Sequence, residues 1–233
     1  MDGQRSIARH YDALIDENND PFRDPQPLRG YMDRWDGQPF FDYLELRSDQ
    51  TVLEIGVGTG RLGVRAASLC REFTGIDLSE KTIERAKENF AGRNNVSLIC
   101  GDFLSYRFDQ KYDVIYSSLT FMHIRRKREA MEKVACLLNS GGRFILSADK
   151  NQDRLLDVGF SKIRVYPDRP ETVRENLDRA GLRLVGCRET EFAWLFAAEK
   201  RETEAIERIS GALYAPGPSA PATRTCSTPA TPP

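Results

Sequence analysis

The sequence predicts an α/β fold, a doubly wound and mostly parallel sheet with helices on both of its faces. Three observations carry that prediction. From Thr51 onward, short apolar runs alternate with segments of helical period, the pattern of successive βαβ units. The first run, "TVLEI", opens into "GVGTG", a strand ending in bare backbone before a helix. Further along, "LRLVGCRETEFAWLFAAEK" holds two apolar runs broken by "RETE", which predicts an antiparallel hairpin closing the sheet.

Taken in order, Ile7, Tyr11, Leu14 and Ile15 fall at helical spacing and predict an amphipathic first helix. A loop rich in Pro, Asp and Arg, "NDPFRDPQPLRGYMDRWDG", leads to a short helix around "QPFFDYLELR". "TVLEI" then reads as a buried strand, "GRLGVRAASLC" as a helix, "EFTGID" as a strand and "SEKTIERAKENF" as a helix with Ser79 as its N-cap. "VSLICGD" and "YDVIYSS" are further strands. "IRRKREAMEKVACLLNSGG" reads as a helix with Met131, Val134, Ala135 and Leu138 on one face, ending at Gly141 as its C-terminal cap. "RFILSAD" is a fifth strand, and "NQDRLLDVGFSKIRVYPDR" a strand flanked by loops. "PETVRENLDRAG" is a helix with Pro170 in its first turn and Gly181 just past its end.

Composition sets limits on function. The 233 residues suffice for one full α/β domain, and a hydrophobic content of 40% fills its core. Lys and Arg number 34 against 35 Asp and Glu, a net charge of -1, which argues against nucleic acid as a partner. No stretch approaches the roughly 18–20 apolar residues of a membrane span, and the charged N-terminal sequence is not a signal peptide, so a cytoplasmic protein is expected. Five dispersed cysteines without a CxxC pair predict reduced thiols, most of them small core residues. With His10 and His123 as the two histidines, no cluster has metal-ligand spacing, and no metal is expected. Residues 1–50 are expected to form a helical cap or lid, 51–200 the binding core, and 201–233 a charged extension with a disordered Pro/Ala/Thr-rich tail.

The glycine loop poses the functional question. Gly56, Gly58 and Gly60 either shape a tight turn or let a ligand lie against the main chain. In a doubly wound sheet the loop after the first strand borders the ligand crevice. The dinucleotide fingerprint GxGxxG fails here because Arg61 takes its last position, and no GxxxxGK[ST] phosphate loop occurs. The neighbouring acids narrow the choice. Asp77 ends the second strand, where a carboxylate accepts hydrogen bonds from both hydroxyls of a ribose. Asp102 and Phe103 offer an acceptor for an adenine amino group and a flat apolar neighbour, and Glu54 can orient loop amides or answer a ligand ammonium. An adenosine-like ligand with a positive end fits better than one with a pyrophosphate.

"VLEIGVGTG", "GIDLS", "GDF" and "YDVIYSS" resemble, in order and spacing, the motifs of class I S-adenosylmethionine-dependent methyltransferases. The resemblance covers residues 51–148 closely and the final hairpin more loosely. It implies a Rossmann-like sheet of seven strands with the last antiparallel, S-adenosyl-L-methionine as cofactor and S-adenosyl-L-homocysteine as product. It places Leu78, after Asp77, and Ser117, in the fourth strand, at the cofactor with the residues already named. In a group resembling quinone-biosynthesis methyltransferases an N-terminal "YD" covers the cofactor, which makes Tyr11 and Asp12 candidates for that role. "YSSLT" stands where an NPPY-like sequence would mark amine methylation of DNA bases or glutamine. The neutral charge and the lack of an added binding domain favour a small-molecule acceptor over RNA or protein.

His123, in "LTFMHI" after the fourth strand, is a candidate general base, with a packed histidine as the structural alternative. "RRKR" at 125–128 reads as a solvated helix face, Asp113 as structural and Trp194 as core. Tyr31, Trp35, Phe40 and Phe41 either line an acceptor pocket or pack in the core. A nicotinamide-dependent oxidoreductase, a non-catalytic cofactor-binding protein and an aminopropyl transferase are the rival readings.

Overall fold

The central strands are apolar on both faces because helices cover both, and this decides the architecture. The structure is a computed structural model that describes residues 2–157 and 162–201. Helices α1 (Asp2–Asp16), α2 (Gln26–Met32) and α3 (Gly37–Leu44) precede the sheet. The first half of the sheet follows as β1 (Thr51–Ile55), α4 (Gly63–Ala67), β2 (Glu72–Asp77), α5 (Glu80–Asn89) and β3 (Val96–Cys100). The second half runs through β4 (Tyr112–Ser118), α6 (Lys127–Leu137) and β5 (Leu138–Asp149). Two short strands, β6 (Leu155–Asp157) and β7 (Lys162–Arg164), then lead to α7 (Pro170–Arg179), β8 (Leu182–Glu189) and β9 (Ala193–Lys200).

The main sheet has seven strands in the order β3-β2-β1-β4-β5-β9-β8. Strands β1 to β5 run parallel to their neighbours, while β9 lies antiparallel between β5 and β8. This is the predicted doubly wound sheet with its antiparallel hairpin. Side chains alternate across it with period two. Leu53, Ile55, Ile115 and Phe144 face α6 and α7 through Met131, Val134 and Leu177. Val52, Val114, Tyr116 and Ile145 face the other layer through Phe40, Leu44, Ala66, Ile83 and Phe90 of α3 to α5.

Local chemistry sets the element ends. Ser79 caps α5, its Oγ accepting from the Thr82 amide at 3.0 Å. Helix α4 ends early, at Ala67, where the Ser68 hydroxyl donates to the Arg65 carbonyl at 2.6 Å and competes for the helical acceptor. Asp113 is structural. Its carboxylate accepts from the Thr51 amide at 2.8 Å and the Asn139 side chain at 2.7 Å, tying together the starts of β1 and β4.

Five expectations need correction. The loop expected before α3 contains α2, which Pro27 can enter because a first-turn residue needs no amide partner. Helix α6 stops at Leu137 rather than Gly141: fully buried Leu138 pairs with Tyr112 and begins β5, and Gly141 (φ +69°) lies in a bulge held by Asn139 on Asp113. The strand expected within residues 151–169 is instead a two-stranded antiparallel ribbon, β6 with β7. Among the described cysteines only Cys70 is buried; Cys100 and Cys187 lie on edge strands and Cys136 on the outer side of α6, all exposed. Trp194 is half-buried against the core rather than within it. Cys226 and the expected extension and tail, residues 202–233, lie outside the described residues. No helix among the described residues is long and apolar enough to cross a membrane.

Candidate functional site

Strand order reverses between β1 and β4, and the loops leaving those two strands part there. A cleft of about 1370 Å³ opens at this point. The loops after β1, β2, β3 and β4 form its floor, α1 contributes Gln4, Ile7 and Tyr11, and Ile163, Arg164 and Tyr166 form a side wall. Single-ligand pockets span roughly 300–1,000 Å³, so this cleft has room for two molecules side by side.

The glycines of the loop divide their duties. Gly56 has φ +78°, and a Cβ there would stand 1.9 Å from Thr120 Oγ1, so protein packing alone demands glycine. Gly60 is held likewise, with a Cβ 2.6 Å from the Phe90 ring. Gly58 differs. Its φ is +55°, and no atom lies within 4 Å of an added Cβ. Bare backbone at Gly58 faces open cleft, and its amide donates to Asp77 Oδ2 at 3.1 Å.

Asp77 sits at the end of β2 with its other oxygen, Oδ1, accepting from the Ser79 amide at 3.1 Å. Burial raises its pKa; hydrogen bonds from the Ser79, Gly58 and Leu78 amides offset part of that, and Asp12 nearby adds to the rise. Glu54 is 3% exposed and accepts the Tyr116 hydroxyl at 2.9 Å. Burial lifts its pKa well above the usual carboxylate range, opposed by Tyr116 and by the charge of Arg61. Asp102 holds its own turn, accepting from the Leu104 and Ser105 amides at 3.3 and 3.1 Å, beside buried Phe103. All four residues, with Leu78, line the cleft.

Helix α1 is fastened on two sides. The Tyr11 hydroxyl lies 2.7 Å from His123 Nε2 in the turn after β4. Next to it, Asp12 accepts from the Ser79 hydroxyl at 2.7 Å and the Lys81 amide at 3.2 Å at the start of α5. The two residues of the "YD" pair thus hold opposite rims of the cleft. Burial, and then the nearby His10 and Lys127, lower the His123 pKa to about 4, so its imidazole is neutral at pH 7. Arg61, the residue that breaks the dinucleotide pattern, lines the cleft but is paired with fully buried Asp36, which also accepts from Ser118 Oγ at 2.7 Å.

Some candidates are elsewhere. Ser117 is fully buried and outside the cleft lining, its hydroxyl donating to the Ile55 carbonyl at 2.9 Å. Tyr31, Trp35, Phe40 and Phe41 do not line the cleft either. Trp35 packs tilted against Phe192 at 4.6 Å with Tyr31 at its edge, Phe40 packs on Tyr116, and the Arg65 guanidinium covers Phe41. Sequence reasoning missed Met32 and the wall of Ile163, Arg164 and Tyr166, which reach the cleft only through tertiary packing, and Asp36, the buried partner of Arg61 behind it. It also missed Leu119, whose left-handed backbone (φ +54°) bends the loop after β4 into the floor.

The chain is similar to methyltransferases both in sequence and in fold. Residues 46–180 match the methyltransferase domain family. A methyltransferase of Anoxybacillus flavithermus is 25% identical over 211 residues, covering 83% of this chain and 94% of that protein. The malonyl-[acyl-carrier protein] O-methyltransferase of Priestia megaterium is 35% identical over a shorter stretch, 43% of this chain and 37% of its own length. The solved structure of magnesium protoporphyrin IX methyltransferase from Synechocystis PCC 6803 superposes with a TM-score of 0.67, covering 86% of this chain and 98% of that one at 18% identity, a likeness of fold. The family match spans more than half of the chain and takes in the whole glycine loop, Asp77 and Asp102. The chain belongs to the methyltransferase domain family, as a class I S-adenosylmethionine-dependent methyltransferase.

Proposed function

We propose that the protein methylates a small-molecule acceptor within this cleft, with S-adenosylmethionine held by the loops after β1, β2 and β3. The observation that carries this reading is Gly58, whose bare backbone opens onto the cleft directly beside the Asp77 carboxylate. A nucleoside with a cationic tail suits the donors and acceptors present. Asp77 would receive the ribose hydroxyls, Asp102 and Phe103 the adenine, Leu78 its edge, and Glu54 with the loops at Gly56 and Gly60 the ammonium end. Ser117 would support the site from beneath by holding β4 to β1.

When bound, S-adenosylmethionine supplies an electrophilic methyl group on a sulfonium and departs as the neutral thioether. The chain's own contribution is alignment and the exclusion of water. Tyr11 and Asp12 close α1 over the cleft, fixing a roof across both rims. His123 serves first as the latch for Tyr11. With a pKa of about 4 it is a weak base, and it would take a proton only from an acceptor that loses one readily. The enclosure by α1 supports a small acceptor over a nucleic acid or a folded protein.

Mass spectrometry of small molecules released from the purified, denatured protein tests the reading. S-adenosylhomocysteine or S-adenosylmethionine in near-stoichiometric amount supports it. Release of a nicotinamide dinucleotide instead would return the site to the oxidoreductase alternative.

A further inference from the structure

The charges that line the cleft are sorted by position. Its carboxylates are Glu54, Asp77 and Asp102, all near the ends of β1, β2 and β3. Its guanidiniums are Arg61, Arg125, Arg126 and Arg164. Arg61 is neutralised by buried Asp36, and Arg126 pairs with Glu129 at 2.8 Å. Arg125 and Arg164 are exposed, and neither has an ion pair among the described residues.

These two arginines stand on a built wall. Between Arg126 and Arg128 the chain turns Lys127 inward, where its ammonium lies 2.7 Å from Asp168 and donates to the Phe121 carbonyl at 2.9 Å. The Tyr166 amide donates to the Met122 carbonyl at 2.7 Å, joining the segment after β7 to the turn that carries Arg125. One backbone bond and one buried ion pair therefore hold both arginine-bearing segments together. The guanidinium fork matches the oxygens of a carboxylate or phosphate, and a cleft with low-dielectric walls concentrates its field. In a chain with net charge -1, two guanidiniums without an ion pair lining one cleft are a local departure from balance.

We propose that Arg125 and Arg164 form an anion subsite, and that the methyl acceptor is a small molecule bearing a carboxylate or phosphate. The acceptor's part in this rests on the methyltransferase reading of the cleft; the subsite does not. Anionic acceptors are drawn to the arginine mouth, while Glu54, Asp77 and Asp102 repel them from the cofactor side.

Titration of the full chain, with and without S-adenosylhomocysteine, tests this with three probes of one size: benzoate, phenyl phosphate and phenol. The wild type binds at least one of the anions more tightly than phenol. The double variant Arg125→Gln/Arg164→Gln weakens that anion by about tenfold, the loss of one or two charge-assisted bonds, and leaves phenol unchanged. Arg125→Lys/Arg164→Lys falls between, since it keeps charge and loses the fork. Arg183→Gln, on β8 and paired with Glu199, behaves as wild type. The tighter anion assigns carboxylate or phosphate. Anions that bind no better than phenol, or that bind the double Gln variant as well as wild type, overturn the subsite. Anion binding that survives while S-adenosylhomocysteine fails to bind upholds the subsite and removes the methyltransferase reading instead.

Discussion

The Tyr11 hydroxyl lies 2.7 Å from His123 Nε2, although the two residues are 112 positions apart. One step along, Asp12 holds the Ser79 hydroxyl at 2.7 Å. Helix α1 therefore bridges the cleft like a bar across a door. Tyr11→Phe removes one hydrogen bond of about 0.5–1.5 kcal/mol, so cofactor affinity falls roughly two- to tenfold while the fold holds. The change shows as faster dissociation of S-adenosylhomocysteine in stopped-flow displacement. A dissociation rate equal to wild type removes the latch.

Gly56 and Gly58 separate packing from ligand access. Both have positive φ, and a side chain at either position adds about 1–2 kcal/mol of backbone strain. Only Gly56→Ala also drives a methyl into Thr120, at 1.9 Å. Its melting temperature falls well below that of Gly58→Ala. Gly58→Val, by contrast, stays folded and loses cofactor affinity by tenfold or more, on the order of 1.4 kcal/mol. Thermal melts and titrations on the same samples decide it, and equal melting points for the two alanine variants contradict the division.

The proposed pairing of Glu54 with the cofactor ammonium predicts binding that depends on pH. Burial raises the Glu54 pKa well above the usual carboxylate range, which favours the protonated form in the empty cleft. A ligand ammonium placed beside it would favour the ionised form, so binding is expected to release a proton. Affinity for S-adenosylhomocysteine therefore rises with pH from the ordinary carboxylate range up through the raised pKa, then levels. Calorimetry in two buffers of different ionisation enthalpy reads the released proton, and Glu54→Gln abolishes it. Proton release unchanged in Glu54→Gln assigns the effect to another group.

His123 links stability to acid. Its folded pKa of about 4 lies below the ordinary 6.5, so the unfolded chain takes up the proton first. The stability it contributes is complete above pH 6.5 and is lost as pH falls toward 4. In urea unfolding across that range, His123→Gln flattens the decline relative to wild type. Parallel curves for the two proteins would exclude His123 as the titrating group.

The sheet was legible because its signals are local. "TVLEI", "EFTGID" and "YDVIYSS" are apolar through their centres, and the glycine loop with Asp77 marks the strand ends that border the cleft. The bulge at Asn139 to Gly142 was not legible, since the helical period of α6 runs on into residues that sheet pairing with Tyr112 then claims. The aromatic set of Tyr31, Trp35, Phe40 and Phe41 looks the same in sequence whether it lines a pocket or packs a core. Only the placement of Phe192 and Tyr116 decides it. Asp36 gave no signal at all, because a buried partner for Arg61 is set by the path of the chain between α2 and α3.

Calorimetric titration of wild type and Asp77→Ala with S-adenosylhomocysteine, beside NAD, tests the central claim most directly. Asp77 is the carboxylate that joins the β2 end to the open backbone at Gly58. Wild type should bind S-adenosylhomocysteine at micromolar level, about -8 kcal/mol, and NAD not measurably. Asp77→Ala should lose roughly ten- to a hundredfold in affinity, and Asp77→Asn less, because the amide keeps one acceptor oxygen. Unchanged affinity in Asp77→Ala, or binding of NAD in place of S-adenosylhomocysteine, would contradict the account.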